Sequence, residues 1–308
     1  MKKVLVIGGN GFIGKNIVDY LVVHNYEVGI YDLSLVTRAG VRCYQGDILG
    51  DKNLENIIKV YDVIIYLISA IMPQESMDKP TSAYLTDIPL LLKVLEICKK
   101  FEKKRIIYSS SGGTIYGESK DANSEEICGH PECHYGICKH TCENILLLYN
   151  KLFSMENIIL RLSNPYGLYQ NSKNGVGVIT AMTLSAIKDQ VINIWGDGEN
   201  IRDFVKIEDV VNGFAKAIDW KFEQDCIPIF NIGSGKPVKI NDIAHIISDE
   251  IEGVTIKYLP KRNFDVRCNY LNILKAKQML KYEESENVLK DIRDYVKCLV
   301  EGKNEIVE

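Results

Sequence analysis

The sequence has no long apolar run and no basic tract. Its net charge of −4 gives no reason to expect a surface for nucleic acid or for an anionic membrane. The first apolar run, residues 4–7, is too short for a signal peptide or a membrane span. We therefore expect a cytoplasmic protein that has neither nucleic acid nor a membrane as its main partner. The length of 308 residues is compatible with about two domains and a sizeable core.

The chain also lacks the cysteine patterns of a disulfide framework or a common zinc motif. It has nine cysteines, an odd number with no repeated spacing, so we expect reduced thiols. Four cysteines and three histidines lie between residues 128 and 142, but no C-x-x-C pair is among them. A zinc site is one interpretation of this cluster. We predict instead that Cys138 and Cys142 are buried as small hydrophobic residues and that the protein has no metal site.

The chain is organised around a glycine-rich turn close to its N-terminus. Residues Val4 to Ile7 predict a buried strand, and Gly8, Gly11 and Gly14 follow at G-x-x-G-x-x-G spacing. Glycines at this spacing allow a tight turn, the close approach of a pyrophosphate and the packing of a helix on the strand. A helix predicted from Phe12 to His24, with Phe12 and Ile13 in its first turn, would direct its free N–H groups at the phosphates.

The residue at the end of the second predicted strand indicates which dinucleotide binds. The strand at residues 26–31 ends at Asp32, which is 18 residues beyond Gly14. A carboxylate at this place holds both ribose hydroxyls of NAD and repels the 2′-phosphate of NADP. Arg38 lies too far along the chain to be a confident partner for that phosphate. We therefore predict NAD, with a glycine-rich turn in some other βαβ unit as the alternative.

Strands and helices alternate along the first half of the chain. This alternation predicts a parallel sheet covered on both faces, as in a Rossmann-type doubly wound α/β fold. Strands are predicted at 41–44, 62–68, 105–108, 158–162 and 229–233, and helices at 51–59, 89–100, 134–152, 178–188, 240–250, 273–280 and 288–299. The pattern loosens after about residue 167, where we expect a smaller α/β unit intertwined with the first.

Three residues near the ends of the third and fourth strands are candidates for cofactor contacts. Asp47 could cap the next helix or bond an adenine amino group, and the sequence does not choose between these. Ile48 and Leu67 are predicted to lie beside it at the carboxyl edge of the sheet, where open α/β sheets bind ligands.

Candidate catalytic residues lie one helical turn apart. Tyr135 and Lys139 are at positions i and i+4 and so share one helix face. A free phenol is a poor base at neutral pH, and a neighbouring cation favours its ionised form. Such a tyrosine can take a proton from a substrate hydroxyl while hydride leaves the same carbon for the nicotinamide. Ser111 or Thr114, beyond the 105–108 strand, would share that proton network.

Together these motifs resemble the extended short-chain dehydrogenase/reductases, specifically the NAD-dependent nucleotide-sugar epimerase/dehydratase family that includes UDP-glucose 4-epimerase. The resemblance covers nearly the whole chain and implies that Tyr135 and Lys139 also contact the cofactor. It is carried by residues 8–14, 109–117, 135–139, 161–167, 196–205 and 230–235.

The resemblance implies a nucleotide-diphosphate sugar as substrate and assigns residues to it. Asn164 would bond the diphosphate or the sugar, and the Arg202 guanidinium would grip the diphosphate. Arg262 and Asp265 would bind phosphate and the nucleoside ribose. Asn269 matches a position that gates bulk at the sugar C2, and its medium size should admit an N-acetyl group. Structural alternatives are a surface ion pair with the next residue for Arg202 and a turn before proline for Asn164.

The chain departs from the family pattern at Gly112 and at Asp87. The usual catalytic Ser/Thr position holds Gly112, so Thr114 or Ser111 must supply the hydroxyl, and we favour Thr114 slightly. An asparagine that commonly follows the fourth strand is replaced by Asp87.

The same resemblance narrows the reaction. Residues 112–115 carry no Asp-Glu pair of the kind that 4,6-dehydratases use, and Asp32 argues against the NADPH that related reductases prefer. We therefore expect a nucleotide-sugar 4-epimerase acting on a UDP-hexose or UDP-N-acetylhexosamine. A dehydratase or reductase of the same family and an inactive NAD-binding protein are the alternatives. The resemblance places the NAD-binding unit at residues 1–166, with returning segments near 203–234, and the sugar-nucleotide unit at 167–308. It also implies a homodimer formed through the helices at 89–100 and 134–152.

Overall fold

The computed structural model describes residues 2–102, 104–171, 177–223, 226–261 and 266–302. The strands are β1 (Lys3–Ile7), β2 (Glu27–Asp32), β3 (Arg42–Gln45), β4 (Val63–Tyr66), β5 (Arg105–Ser111), β6 (Ile158–Leu162), β7 (Asn164–Tyr166), β8 (Val191–Trp195), β9 (Ile201–Arg202), β10 (Phe204–Lys206), β11 (Ile229–Ile232), β12 (Val238–Lys239), β13 (Thr255–Leu259) and β14 (Cys268–Asn269). The helices are α1 (Phe12–Val23), α2 (Leu54–Lys59), α3 (Pro73–Asp78), α4 (Pro80–Cys98), α5 (Gly112–Ile115), α6 (His134–Phe153), α7 (Val178–Asp189), α8 (Ile207–Asp219), α9 (Ile240–Glu250) and α10 (Val288–Val300), with a π-helix at Ala276–Leu280.

Seven parallel strands form the main sheet in the order β11-β6-β5-β4-β1-β2-β3. The order reverses at β1, so a crevice opens between the carboxyl ends of β1 and β4. This arrangement confirms the predicted Rossmann-type doubly wound fold.

Alternate residues of β1 face two hydrophobic cores, one on each side of the sheet. Val4 and Val6 pack in the core that contains residues of α1 and α8, and Leu5 and Ile7 pack in the core that contains residues of α4 and α6. All four side chains are fully buried, which is why these four positions hold only β-branched and leucine residues.

A smaller α/β region covers the carboxyl edge beyond β6. It contains the parallel pair β8–β13, the pair β7–β10 and a three-stranded sheet in the order β12-β9-β14. Helices α7, α9 and α10 supply its own apolar core. The chain leaves this region through α8 and returns to the main sheet as β11, so the two regions are intertwined as expected.

The prediction that a helix begins at Pro89 is wrong. Helix α4 begins at Pro80 and continues through Pro89 to Cys98. Proline donates no hydrogen bond to the carbonyl of residue 85, but Leu85 is 68% exposed, so water can reach this side of the helix. Buried residues before and after the proline, such as Ala83 and Leu91, hold the helix on the sheet despite the lost bond.

Two smaller differences concern short elements. The third strand begins at Arg42 and ends at Gln45, one residue later than expected, and the helix predicted at 273–280 is largely a π-helix. Among the described residues, no helix has both the length and the apolar character needed to cross a bilayer.

Candidate functional site

The glycine turn between β1 and α1 has the shape that a dinucleotide pyrophosphate requires. Gly8 has φ +84°, a conformation that side chains rarely adopt. A Cβ on Gly14 would lie 2.5 Å from the Gly8 carbonyl oxygen, so a side chain there cannot be accommodated without moving the backbone. A Cβ on Gly11 would meet nothing closer than 3.5 Å, and Gly11 is exposed. The first and last glycines are therefore needed to build the turn, and Gly11 leaves open space for a phosphate.

Gly9 is a third constrained position, which sequence reasoning missed. A Cβ on Gly9 would lie 2.9 Å from a methyl carbon of Ile30 on β2. The spacing pattern does not require this glycine, and only the packing of the neighbouring strand reveals the reason for it.

Asp32 connects the end of β2 to the glycine turn. One carboxylate oxygen accepts a hydrogen bond from the Asn10 backbone at 3.1 Å, and the other accepts from the backbone and the hydroxyl of Ser34. Each carboxylate oxygen can accept more than one hydrogen bond, so ribose hydroxyls could still bind here. Arg38 is engaged in an ion pair with Asp19 on α1 and does not offset the negative charge of Asp32. These features fit NAD better than NADP.

The remaining predicted cofactor residues lie at the same edge of the sheet. Phe12 and Ile13 are half-buried in the first turn of α1, Leu67 is half-buried directly after β4, and Ile48 is buried. Asp47 is exposed, and one of its oxygens accepts a hydrogen bond from the Leu49 backbone at 3.1 Å. The carboxylate thus stabilises the turn that precedes α2, and its contact with adenine stays a prediction.

Tyr135 and Lys139 lie on one face of α6, as their spacing predicts. The Lys139 ammonium is 5.5 Å from the centre of the Tyr135 ring and 4.9 Å from that of Tyr108, and it donates to the Ser109 carbonyl at 3.0 Å. Lys139 is buried, so these contacts replace the water that its charge would otherwise bind. The backbone N–H of Tyr135 donates to the buried Ser76 hydroxyl, which fixes the start of α6 against α3.

The two candidate hydroxyl groups form one pair. Thr114 Oγ1 donates to Ser111 Oγ at 2.9 Å. A Cβ on Gly112 would lie 2.8 Å from a Leu271 methyl carbon, so a hydroxyl side chain at this position would require Leu271 to move. A Cβ on Gly136 would lie 2.5 Å from the Thr114 carbonyl oxygen, so Thr114 packs directly on the first turn of α6, beside Tyr135. The structure therefore packs the turn that carries Thr114 against the helix turn that carries Tyr135.

Asp87 stabilises the end of β4 in place of the usual asparagine. Its buried carboxylate accepts from the Ser69 hydroxyl and from the Ala70 backbone, both at 2.7 Å. An asparagine has only one acceptor oxygen and could not accept both bonds on separate oxygens. The carboxylate thus fixes the segment that follows Leu67.

A cavity of about 490 Å³ adjoins this edge of the sheet within the smaller region. Asn164 connects the two, since its Nδ2 donates to the Asp203 carbonyl at 2.8 Å and its Oδ1 is 3.6 Å from the position of a Cβ on Gly113. The cavity is lined by Asn164, Tyr166, Val178, Met182, Asn193, Trp195, Arg202, Phe204 and their neighbours. An amide, an arginine and an exposed indole around one cavity suit a diphosphate joined to a flat base.

The residue after Arg202 has a structural role that the sequence did not reveal. Asp203 is fully buried, and its carboxylate accepts hydrogen bonds from the backbones of Ser234, Gly235 and Leu271 and from the Ser234 hydroxyl. Burial raises the pKa of the Asp203 carboxyl, against the effect of these donors. A surface ion pair between Arg202 and Asp203 is therefore excluded, because Asp203 is not at the surface.

Of the three remaining predicted substrate residues, the structure describes only Asn269. Asn269 is buried on β14 opposite Arg202, and its amide donates to the Gly117 carbonyl at 3.0 Å. Its role as a gate at the sugar C2 stays a prediction. Arg262 and Asp265 lie outside the described residues.

The cysteine and histidine cluster does not form a metal centre in the part of the chain that the structure describes, where no three potential ligands come together. Cys138 and Cys142 are buried on α6, as predicted, and Cys128 is exposed. Burial raises the pKa of the Cys133 thiol, which disfavours its ligating form.

A glycine turn with an acidic partner, next to a tyrosine–lysine pair on a doubly wound sheet, defines a dinucleotide-binding dehydrogenase/reductase. The sequence profile of the NAD dependent epimerase/dehydratase family matches residues 4–233, and the chain belongs to that family.

Known proteins similar to this chain agree with the assignment. A putative UDP-glucose 4-epimerase of Methanocaldococcus jannaschii is 37% identical over 289 residues, which are 90% of this chain and 92% of that protein. The crystal structure of UDP-glucose 4-epimerase from Thermotoga maritima with UDP-glucose has a TM-score of 0.89 at 28% identity, covering 98% and 100% of the two chains. UDP-glucuronic acid 4-epimerase from Bacillus cereus, solved with UDP-glucuronic acid and NAD, has a TM-score of 0.86 at 25% identity, covering 96% and 99%. The predicted family and NAD as the cofactor are thereby confirmed.

Proposed function

We propose that this protein is a UDP-sugar 4-epimerase that oxidises C4 of a hexose and then reduces it from the opposite face. The observation that carries the proposal is the contact between Lys139 and Tyr135 beside the Ser111–Thr114 hydroxyl pair. The turn at residues 112–115 contributes no carboxylate, so elimination of water from the sugar has no acid or base there. The UDP-glucose and UDP-glucuronic acid bound in the two similar crystal structures favour a UDP-sugar.

The cofactor site fits NAD on the features of this chain. The open face of Gly11 and the N-terminus of α1 would hold the pyrophosphate, and Asp32 would hold the adenosine ribose. Bound NAD supplies a reversible hydride acceptor for C4.

The protein side chains move the proton of the sugar 4-hydroxyl. Tyr135 accepts this proton when C4 is oxidised and returns it when C4 is reduced. In this proposal the buried Lys139 ammonium places a positive charge beside the phenol that exchanges the proton. The Thr114 hydroxyl already donates to Ser111, so the pair can orient the 4-oxygen and pass a proton along the chain of hydroxyls.

The cavity of the smaller region would hold the nucleotide part of the substrate. Arg202 would bind the diphosphate, Asn164 would orient the diphosphate or sugar, and the half-exposed Trp195 would stack on the base. Arg262, Asp265 and Asn269 keep the roles predicted from the sequence, and Asn269 supports an N-acetylhexosamine as well as a hexose. In this proposal residues 1–166, with returning segments near 203–234, form the NAD-binding unit, and the rest of residues 167–308 binds the sugar nucleotide.

The assembly that we propose is a homodimer formed through α4 and α6. These helices pack side by side, and apolar side chains on their outer surfaces are 45–68% exposed, namely Leu85, Leu148, Leu152 and Phe153. Two such surfaces would bury each other in a four-helix arrangement. Light scattering of the purified protein, with Leu148→Glu and Leu152→Glu as variants, checks this assembly.

Incubation with a panel of UDP-hexoses, UDP-N-acetylhexosamines and UDP-uronic acids tests the proposed reaction. Proton NMR should show the C4 epimer of at least one sugar, with no net formation of NADH. Tyr135→Phe should still bind NAD and form the epimer at least about 10²-fold more slowly. A 4-keto-6-deoxy sugar, or net consumption of NAD(P)H with a reduced sugar, would show that the proposed reaction is wrong.

A further inference from the structure

A buried ion pair lies beneath the proposed catalytic residues. Glu143 on α6 and Arg161 on β6 form two parallel hydrogen bonds of 2.9 and 2.7 Å, with side-chain exposures of only 1% and 3%. The Ser110 hydroxyl on β5 donates to the same carboxylate at 2.6 Å. Buried ion pairs of this kind often contribute no more stability than apolar side chains of equal volume, so stability alone does not explain the pair.

Glu143 lies on the same helix as the tyrosine–lysine pair, one turn beyond Lys139. Tyr135, Lys139 and Glu143 follow at intervals of four residues and therefore lie along one face of α6. Lys139 donates to the Ser109 carbonyl, and Glu143 accepts from the Ser110 hydroxyl. Two successive turns of the helix are thus bound to two successive residues of β5, so α6 cannot slide along the strand without breaking both contacts.

Arg161 also contacts the segment that follows Thr114. Arg161 Nη1 donates to the hydroxyl of Tyr116 at 2.8 Å, and that hydroxyl donates to Asn231 Oδ1 at 2.7 Å. Tyr116 lies two residues after Thr114, directly beyond α5. One guanidinium therefore holds the helix that carries Tyr135 and the turn that carries Thr114.

We propose that Glu143 and Arg161 are positioning residues that set the distance between Tyr135 and Thr114. This inference rests on the proposed function of those two residues. Neither member of the pair reaches a substrate, because both are buried below the carboxyl edge of the sheet. Their effect passes through α6 and Tyr116 to the groups that hold the 4-oxygen.

Three substitutions test the inference against a matched control. Ser110→Ala removes one bond to the carboxylate and keeps the ion pair, Glu143→Gln keeps the shape without the charge, and Arg161→Lys keeps the charge without the paired geometry. The control is Glu156→Gln, which breaks the Arg105–Glu156 ion pair of 2.5 Å at the opposite ends of β5 and β6. The control should lose stability without any change at the catalytic edge.

We expect kcat for epimerisation to fall at least about 10-fold in Glu143→Gln and Arg161→Lys, with KM changed less than about twofold. In the protein without substrate, amide hydrogen exchange should speed up in residues 112–117 and 134–142. Ser110→Ala should show the same changes to a smaller degree, and Glu156→Gln should show neither.

The positioning role would be refuted if Ser110→Ala and Glu143→Gln lost stability but kept the wild-type kcat and the wild-type exchange rates in residues 112–117 and 134–142. The exchange measurement needs no turnover. If the wild-type protein epimerises no sugar, the proposed function fails, and the exchange data still decide whether the pair fixes α6 and the 112–117 turn.

Discussion

An added methyl group should lower the stability of the protein at Gly14 and its affinity for NAD at Gly11. In Gly14→Ala the new Cβ would lie 2.5 Å from the Gly8 carbonyl oxygen and 2.7 Å from Gly9 Cα, both of which are backbone atoms. Overpacking against atoms that cannot rotate away costs about 1–3 kcal/mol. The free energy of unfolding of the NAD-free protein should fall by that amount.

In Gly11→Ala the methyl group enters open space, 3.5 Å from the nearest atom. Gly11 has φ −74°, which alanine adopts without strain, so the free energy of unfolding should change by less than about 1 kcal/mol. The methyl would instead occupy the space where the pyrophosphate approaches the turn. The Kd for NAD should rise at least about 10-fold, equivalent to about 1.4 kcal/mol.

Urea unfolding without NAD and calorimetric titration with NAD separate these two effects. The reasoning requires Gly14→Ala to lose stability before any ligand is added, and Gly11→Ala to lose affinity while its stability is retained. If Gly11→Ala bound NAD as tightly as the wild-type protein, the pyrophosphate would not lie over this turn, and the cofactor site proposed above would be wrong.

Three further predictions concern the cofactor carboxylate, the proton acceptor and a buried acid. Asp32→Ser should weaken NAD binding and reduce the preference for NAD over NADP, measured by titration with both dinucleotides. An unchanged ratio of the two Kd values would contradict the role of the carboxylate. Tyr135→Phe should lower kcat about 10²–10⁴-fold with NAD affinity retained, measured by NMR assay and calorimetry; residual kcat near that of the wild type would exclude Tyr135 as the base. Burial raises the pKa of Asp209 to about 6, so its contribution to stability is lost as the pH rises through that value, and Asp209→Asn should be stabilised relative to the wild type at pH 7 but not at pH 4 in urea unfolding. An equal difference at both pH values would refute the last prediction.

The geometry of the glycine turn, of Asp32 and of the tyrosine–lysine pair could be predicted from the sequence because its signals are local. The turn at Gly8–Gly14 and the carboxylate at Asp32 follow directly from two strands, and strand ends in a parallel sheet share one edge. Likewise, Tyr135 and Lys139 share a face through helix periodicity alone. In each case a few neighbouring residues determine the geometry.

The missed features depend on contacts between distant parts of the chain. Gly9 is explained by Ile30 on the next strand, and the burial of Asp203 is explained by residues 234, 235 and 271. The wrong helix start at Pro89 has the same origin, because packing against the sheet outweighs the preference of proline for a first turn. The type of one residue does not indicate which distant residues it contacts, so these features could be recognised only in the three-dimensional structure.

The path of the chain through its seventh sheet strand limits how the protein can be divided. Strand β11 pairs along β6 from Ile159 to Leu162, although it follows almost 70 residues later (229 against 162). A shortened chain ending at residue 166 would leave β6 with an unpaired row of N–H and C=O groups beside fully buried side chains such as Leu160. We therefore expect a fragment that ends at residue 166 to aggregate, because a strand from the second half of the chain completes its sheet.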